Sequence, residues 1–442
     1  MARVNNEIPP AKPWPINPLR VSQAVGGVLA LQGIYRSVPV LHGAEGCTES
    51  VKQSLARHFR EPISVQNIAI HEQNLIFGGS QSIHDMLQHV TSEYQPDVIA
   101  LIGTSLTEVV GEDLLGAVEA YYKLHKERFH DRLLLGLYLP DYEGSLESGY
   151  AQTVYCVLQK LLRSSGRRSR SRKRTSRINL LPGSHLTPGD VMELKEMIAS
   201  FGIEVIVLPD LSSSLTGHLM TGYTPLTRGG VPLDYLRELP SSAYTIVIGR
   251  SMEPCARLLE EELGIPYRLF HGVTGLCESD ELILLLRRLS GNEGPNKYRW
   301  QRQFLLDCML DTRSAFRGRH VVAALEGDHL VSVFQTFKEM GIRRFSGVVP
   351  VQSPALELLP PGISVGDLDD LERLAMDEGD LWISNSYGAE RAEQQHTPYL
   401  PAGFPVFNRF GSPATTSVGY RGTAELLCLY ANTLISKERM YL

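Results

Sequence analysis

The 442-residue chain carries 43 basic and 49 acidic residues, which gives a formal net charge of -6 at pH 7. This balance provides no overall basic field that would draw the protein to nucleic acid or to a membrane surface. At roughly 100–200 residues per domain, the length predicts two to four domains. Residues 1–15 are polar and proline-rich, and the apolar runs are far shorter than the ~18 residues of a membrane span. We therefore expect a cytoplasmic protein with no membrane or nucleic-acid partner.

The cysteines stand singly, at Cys47, Cys156, Cys255, Cys277, Cys308 and Cys428. They form no CxxC pair, and no four of them have the spacing of a zinc site. Scattered cysteines in a chain of this size are typical of a reducing compartment rather than of a disulfide framework. A cysteine that binds metal here needs further ligands from distant parts of the chain or from another chain.

Short apolar segments rich in β-branched residues alternate with helical segments. In chain order, strands are predicted at 98–103, 133–139, 178–182, 205–208, 244–249, 321–325 and 381–384. Helices are predicted at about 50–60, 112–126 and 148–162, and from about residue 188 onward. Strands that are apolar along their whole length and alternate with helices are typical of parallel sheets covered on both faces.

Such a large number of strand–helix units does not fit in one sheet. The pattern therefore predicts an α/β protein with three Rossmann-like domains, whose parallel sheets are flanked by helices. Polar segments at 163–177 and 291–296 are predicted to be exposed linkers. The predicted domains are residues 1–165, 178–292 and 297–442, with the Arg/Ser-rich linker at 163–177.

The Arg/Ser-rich linker has two interpretations. A basic run can bind nucleic acid, but blocks of like charge are more often solvated. The rest of the chain offers no aromatic platform or basic face for RNA, which favours the solvated linker.

A loop with possible metal chemistry follows the apolar segment that ends near Leu41. It contains Gly43, Gly46 and Cys47, and a helix follows it. Glycines allow backbone N–H groups to approach a ligand closely, and a helix N-terminus attracts the negative charge of a thiolate. An iron–sulfur cluster needs these features. One cysteine is a weak signal, however, and the local sequence alone favours a buried structural cysteine beside a turn.

Two further loops have less specific chemistry. The segment Gly103–Asp113 carries hydroxyls and carboxylates that suit either the edge of a cluster or the capped start of a helix. The segment Phe77–Ser82 contains two glycines but lacks the GKS/T of a P-loop, which favours a structural turn. His185, His218 and His271 have no evident catalytic or metal partners and are interpreted as surface or hydrogen-bonded histidines.

Several segments together resemble a known family. They are Asn17–Ala24, Leu41–Cys47, His58–Pro62, Phe77–Gly79, Leu181–Asp190, Leu208–Ser212, Gly366–Leu371, Gly403–Gly411 and Gly419–Thr423. Their sequences resemble the N-type subunits of nitrogenase cofactor-maturation scaffolds, which are homologues of the nitrogenase β subunit. The likeness extends over nearly the whole chain, except for the Arg/Ser-rich linker.

The resemblance implies a subunit of an α2β2 heterotetramer with an E-type scaffold subunit. It implies a [4Fe–4S] cluster at the interface, held by three cysteines of the partner and by Cys47 of this chain. The partner would also hold the precursor of the iron–molybdenum or iron–vanadium cofactor. A reductase ATPase of the Fe-protein type would dock transiently. These features imply a non-catalytic assembly scaffold with a role in electron transfer.

A catalytic β subunit of a nitrogenase-like or protochlorophyllide-type reductase is the alternative. The nitrogenase β subunit, by resemblance, uses three cysteines for a larger eight-iron cluster, and two of those positions are occupied here by Ser22 and Ser105. A hydroxyl is a much poorer iron ligand than a thiolate because it stays protonated near neutral pH. We therefore expect Gly43, Gly46, Ser22 and Ser105 to surround the smaller cluster. A cluster-free sugar- or nucleotide-binding protein is less favoured, since phosphate-binding fingerprints are lacking.

Overall fold

The computed structural model describes residues 19–70, 80–165, 174–215, 224–375 and 380–440. Within these ranges the strands form three parallel sheets flanked by helices, as predicted. No helix in the described part of the chain is both long and apolar enough to cross a membrane. The predicted turn at Phe77–Gly79, His218 and residues 166–173 of the linker lie outside the described residues.

The first sheet contains β1 (Ser37–Gly43), β2 (Gln66–Ala69), β3 (Val98–Gly103) and β4 (Leu133–Tyr138), in the spatial order β2-β1-β3-β4. Its helices are α1 (Gln23–Gln32), α2 (Glu45–Phe59), α3 (Ser80–His89), α4 (Ser105–Val110), α5 (Leu114–Leu124) and α6 (Leu146–Ser165). Every residue of β1 and β3 is buried. This burial explains why β3 is apolar along its whole length, whereas β1 also buries the polar Ser37 and His42.

Helices α1 and α6 pack closely because glycines face the neighbouring backbone. A Cβ atom on Gly26 would lie 2.0 Å from the carbonyl oxygen of Leu146, and one on Gly149 would lie 2.1 Å from that of Gln23. Larger residues at these positions would push the helices apart. The contact fixes the start of α1, where Ser22 is the N-cap.

The second sheet contains β5 (Ile178–Leu181), β6 (Val205–Val207), β7 (Tyr244–Ile248) and β8 (Tyr267–Phe270), in the order β6-β5-β7-β8. Its helices are α7 (Pro188–Ser200), α8 (Leu233–Leu236), α9 (Glu253–Leu263) and α10 (Leu276–Ser290). Helix α7 begins where the sequence predicts it: Thr187 accepts a hydrogen bond from the Asp190 N–H, and Asp190 accepts one from the Thr187 N–H.

The third sheet contains β9 (His320–Ala324), β10 (Arg344–Val349), β11 (Ile363–Val365), β12 (Leu381–Ser384) and β13 (Tyr399–Pro401), in the order β11-β10-β9-β12-β13. The remaining helices are α11 (Lys297–Phe316), α12 (Gly327–Glu339), α13 (Leu368–Leu374), α14 (Ala389–Gln394) and α15 (Gly419–Met440). The C-terminal helix α15 packs along α11, with 3.9 Å between the sulfur atoms of Cys308 and Cys428.

One of the predicted helices begins earlier in the structure, and the next matches its prediction. Helix α2 begins at Glu45, five residues before the predicted start, so Cys47 lies inside its first turn. The helix predicted at 112–126 is α5 (Leu114–Leu124), and the short helix α4 before it ends at Gly111, which adopts a positive φ of 74°. Asp113 then caps α5 by accepting a hydrogen bond from the Gly116 N–H.

The Arg/Ser-rich linker is attached to the fold at both of its described ends. Helix α6 continues to Ser165. Arg174 donates to the carbonyl oxygens of Pro240 and Ser242, and Arg177 forms ion pairs with Glu204 and Glu238. Arg174 is exposed, as the prediction of a solvated segment expects, whereas Arg177 is only partly exposed. The domain limits given above stay predictions.

Elements that belong to the three sheets meet at buried carboxylates. Glu147 at the start of α6 accepts a hydrogen bond of 2.8 Å from the Asp328 N–H of α12. The Asp328 carboxylate accepts from the N–H groups of Arg250 and Ser251, which follow β7. Glu326 accepts from the Ser145 hydroxyl at 2.6 Å. We call Glu147, Glu326 and Asp328 the carboxylate junction.

Candidate functional site

Three loops meet at the carboxyl edge of the first sheet, where ligands of parallel α/β proteins commonly bind. Strands β1, β3 and β4 are neighbours, so the residues that follow them lie close together. Cys47 follows β1, Ser105 follows β3, and Asp141 follows β4. Ser22, at the start of α1, joins the same edge through a hydrogen bond to Asp141.

Cys47 is a free, partly buried thiol in the first turn of α2. Its N–H donates to the Ala44 carbonyl at 3.0 Å. Ala44 is the N-cap residue and has no side-chain group that could accept from the other N–H groups of the turn. Helix α2 is held in place by the buried Thr48, which donates to Asn67 of β2 at 2.8 Å. The thiol is thus presented on a fixed helix end with uncapped backbone donors.

The two serines predicted beside the site are both bonded to Asp141. The Ser22 hydroxyl donates to the Asp141 carboxylate, and the Asp141 N–H donates to the Ser105 hydroxyl oxygen at 2.7 Å. Ser22 also accepts a hydrogen bond from the Ala24 N–H as the cap of α1. Both hydroxyls therefore have protein partners near Cys47. Asp141 was missed from the sequence because a single carboxylate in a loop has no motif.

The two predicted glycines have different surroundings. A Cβ atom on Gly43 would lie 2.4 Å from the Thr104 hydroxyl oxygen, so this glycine is needed for the close packing of β1 against the residue after β3. A Cβ atom on Gly46 would have no described atom within 4 Å. The space beside Gly46 is therefore open, and Gly46 lines the same cleft as Cys47.

The segment Gly103–Asp113 is the capped start of a helix, as one of its two interpretations predicted. The Thr104 N–H donates to the Thr107 hydroxyl oxygen at 3.2 Å, and both threonine hydroxyls donate to the carbonyl oxygen of His42. Glu112 lies 2.6 Å from His42 Nε2, where both side chains are largely buried. This pair fixes the end of β1, the strand that leads into the Cys47 turn.

A cleft of about 430 Å³ opens beside Cys47, and its lining includes Arg20, Ser22, Gly46, Thr104, Asp141 and Tyr387. Cys47 is the only cysteine in this lining, and the described residues contain no group of three or more potential metal ligands. A four-iron cluster needs about four ligands, so this chain would supply one thiolate and others would come from elsewhere.

Arg20 also suits an anionic group in the cleft. Its Nε donates to the Gly144 carbonyl at 2.7 Å, but its buried Nη2 has no hydrogen-bond partner among the described residues. An unpaired buried guanidinium nitrogen is costly unless a negative charge or an acceptor reaches it. A thiolate-ligated iron–sulfur cluster would provide that charge. The donor set and the open space therefore fit such a cluster.

The structure contradicts the interpretation of His185 as a surface or hydrogen-bonded histidine. Neither of its ring nitrogens has a partner among the described residues, and burial lowers the pKa of His185 to about 4. It lines an inner cavity of about 150 Å³ with His58 and His329. Burial also lowers the pKa of His58 to about 4 and that of His329 to about 3. His271 is half-buried, which also lowers its pKa.

Comparisons with known proteins place these observations in a family. The family model described as nitrogenase component 1 type oxidoreductase matches residues 22–435. The chain belongs to the nitrogenase component 1 family. The match includes α1 with Ser22, the Cys47 turn and most of α15.

Similar members of the family carry the name nitrogenase iron-molybdenum cofactor biosynthesis protein NifN. The protein from Nostoc sp. (strain PCC 7120) is 38% identical over 97% of this chain and 95% of its own length. The proteins from Bradyrhizobium diazoefficiens and Klebsiella pneumoniae are 34% and 32% identical, over 97% and 96% of this chain and 91% and 92% of their own lengths.

A solved nitrogenase component 1 structure has the same fold. The structure titled "Nitrogenase Cp1 at pH 6.5" superposes with a TM-score of 0.87 at 26% identity, covering 98% of this chain and 95% of that chain. A chain titled "Nitrogenase Cp1 at pH 5" superposes with a TM-score of 0.69 at 12% identity and covers 97% of this chain and 91% of that chain. The second likeness concerns the fold alone.

Proposed function

We propose that this chain is a scaffold subunit for maturation of the iron–molybdenum or iron–vanadium cofactor of nitrogenase. It pairs with an E-type subunit that holds the cofactor precursor, and the two share a [4Fe–4S] cluster at their interface. The shared name of the relatives, which states cofactor biosynthesis, supports this role. The observation that carries the proposal is the free Cys47 thiol in an open cleft that Ser22 also lines, with Ser105 joined to this edge through Asp141.

Each residue has a definite task in this proposal. Cys47 supplies one thiolate, and three cysteines of the partner supply the others. The uncapped N–H groups at the start of α2 face the cluster, and the Arg20 guanidinium balances its negative charge. The cluster supplies one-electron transfer, and an Fe-protein-type ATPase docks transiently to deliver electrons. The two serine hydroxyls, which are bonded to Asp141, stay outside the ligand set.

The catalytic alternative needs more thiolates than the cleft offers. An eight-iron cluster would require ligands where Ser22 and Ser105 stand, and both hydroxyls are bonded to Asp141. We therefore favour the scaffold over the catalytic β subunit.

Co-purification with the E-type subunit tests the proposal. The complex is expected to contain iron and to absorb broadly near 400 nm, whereas the isolated chain is expected to hold no stable cluster. Molybdenum and vanadium analysis of the complex identifies the pathway. A stable cluster in the isolated chain, or substrate turnover by the complex with an ATP-driven donor, would contradict the scaffold role.

A further inference from the structure

The inner cavity of about 150 Å³ lies where helices of the three sheets meet. Its wall includes Leu29 of α1, Leu186 just before α7 and Val333 of α12, and these helices flank the first, second and third sheets. Much of the remaining wall is apolar or aromatic, with Phe59, Phe337 and Leu400. An engineered apolar cavity of about this volume admits benzene. The inner cavity therefore has room for a molecule of roughly that size.

Three polar residues of this wall have buried atoms without a partner among the described residues. They are the hydroxyl of Ser184, both ring nitrogens of His185 and Oε1 of Glu326. The other oxygen of the Glu326 carboxyl accepts a hydrogen bond from Ser145. Buried polar atoms are nearly always hydrogen-bonded in folded proteins, because leaving them unpaired is costly. Three such residues in one wall indicate a ligand that supplies the missing partners.

The strand order of two sheets supports the same conclusion. Ser184 and His185 follow β5, which lies between β6 and β7, and Glu326 follows β9, which lies between β10 and β12. At each of these interior strands the chain adds the next strand on one side and later continues on the other. In open α/β sheets, ligands bind at the carboxyl ends of strands where the order reverses in this way. The carboxyl ends of both strands lead to the inner cavity.

The charges of the wall select the kind of ligand. Burial lowers the pKa of His185 to about 4 and that of His329 to about 3, so both imidazoles are neutral near pH 7. A neutral imidazole offers one hydrogen-bond donor and one acceptor. An anion would share the cavity with the Glu326 carboxyl, and a cation would share it with Arg409. The wall therefore suits an uncharged molecule that can both donate and accept hydrogen bonds.

We propose that the inner cavity binds a small uncharged organic molecule, with a hydroxyl or amide group on an apolar body about the size of benzene. The polar group bonds to Ser184, His185 and Glu326, and the apolar body packs against the apolar and aromatic wall. Water alone is a poorer occupant, because a buried water makes about three hydrogen bonds and most of this wall offers none.

Neither a metal ion nor an iron–sulfur cluster suits this cavity. The described residues contain no group of three or more potential metal ligands, and none of those that line the cavity is a cysteine. The binding site is also independent of the proposed function, since Cys47, Arg20 and Asp141 do not line it. Cys47→Ala should leave ligand binding in the inner cavity unchanged, so the two proposals fail independently.

Isothermal titration calorimetry of the full-length chain with three probes tests the proposal. Phenol is uncharged near pH 7 and carries a hydroxyl, toluene has the same shape without the hydroxyl, and benzoate is an anion. Phenol is expected to bind at one site per chain, about tenfold or more tightly than toluene, because only phenol satisfies the unpaired polar atoms. Benzoate is expected to bind at least about tenfold more weakly than phenol, because its charge is buried beside Glu326.

Variants of the polar wall separate recognition of the hydroxyl from simple filling of space. Ser184→Ala and His185→Leu are each expected to lower the affinity for phenol about tenfold without lowering that for toluene. Ser92→Ala, at an exposed position outside the cavity, is the matched control and should bind phenol like the unaltered chain.

Three results would overturn the proposal. They are the absence of phenol binding, equal affinities for phenol and toluene, and an unchanged phenol affinity in both wall variants. A crystal structure of the chain with phenol gives a further check. Phenol is expected between Ser184 and Glu326, and a cavity that holds only water in that crystal would also overturn the proposal.

Discussion

At the residue scale, Gly43 is needed for close packing, whereas the open space beside Gly46 is available to a ligand. Gly43→Ala would place a methyl group against the Thr104 hydroxyl and is expected to destabilise the chain by about 1–3 kcal/mol. Gly46→Ala has open space and lies inside a helix, where alanine is favoured by about 0.5–1 kcal/mol. Thermal unfolding of the isolated variants measures both effects.

The same pair of variants also reports on the cluster. If the space beside Gly46 is used by the cluster, Gly46→Ala should lower the iron content of the complex although it stabilises the isolated chain. Unchanged iron content in the Gly46→Ala complex would show that this open space is not part of the cluster site.

Arg20 gives a second prediction at this scale. Arg20→Met keeps much of the length of the side chain but removes the charge that faces the cleft. In the complex with the E-type subunit, the cluster should then have a lower reduction potential, because its reduced and more negative form loses a nearby cation. Redox titration followed by electron paramagnetic resonance measures the shift, with Arg228→Met as a control outside the cleft. An unchanged reduction potential would show that the Arg20 side chain does not lie close to the cluster.

At the scale of elements, the capping box of α7 also holds the start of α15. The Asp190 carboxylate accepts hydrogen bonds from the N–H groups of Thr187, Ser417 and Val418. Burial raises the pKa of Asp190, although these donors act in the opposite direction. Asp190→Ala is expected to destabilise the chain by roughly 2–4 kcal/mol, because several buried donors lose their acceptor.

Thermal unfolding and hydrogen exchange of α15 check this prediction. Glu261→Ala, an exposed position on α9, is the control. Equal melting temperatures for the two variants would mean that the hydrogen bonds of Asp190 contribute little.

Element boundaries show how far the sequence can be interpreted alone. Strands such as β3 were predictable because buried parallel strands are apolar along their length, whereas short strands with polar or exposed residues, such as β2 and β11, were not predicted. The start of α2 was missed because Glu45 and Gly46 resemble a turn, and only the backbone shows that they are helical. Thr187 and Asp190, in contrast, form a capping box that the local sequence contains in full.

At the scale of the whole molecule, the carboxylate junction was beyond prediction because its members are far apart in sequence. Glu147 and Asp328 belong to helices that flank different sheets, and each alone resembles an ordinary acidic residue in the first turn of a helix. The site edge was partly predictable: Cys47, Ser22 and Ser105 were named, but Asp141, which joins the two serines, depends on the strand order.

The junction makes stability depend on pH. Burial raises the pKa of Glu326 to about 7, from an ordinary value of 4.5. The folded state holds this proton more tightly than the unfolded state. The stability that protonated Glu326 contributes is therefore complete below about pH 4.5 and is lost as the pH rises through 7. The buried histidines act oppositely, because their lowered pKa values destabilise the folded state as the pH falls below about 6.5.

A difference measurement isolates the effect of Glu326. Glu326→Gln keeps an acceptor for Ser145 but cannot ionise, so its melting temperature should fall less than that of the unaltered chain between pH 5 and pH 7.5. If the melting temperatures of the two proteins changed equally between pH 5 and pH 7.5, Glu326 would not have a raised pKa.

The central claim is that Cys47 is this chain's ligand to an iron–sulfur cluster shared with another subunit. The most direct measurement compares iron content and Mössbauer spectra of the complex carrying Cys47→Ala with those of the complex carrying Cys277→Ala, an exposed cysteine elsewhere. Cys47→Ala is expected to lose the iron of the shared cluster or to convert the cluster to a three-iron form, and Cys277→Ala is expected to match the unaltered complex. A full complement of iron with an unchanged spectrum after Cys47→Ala would contradict the claim.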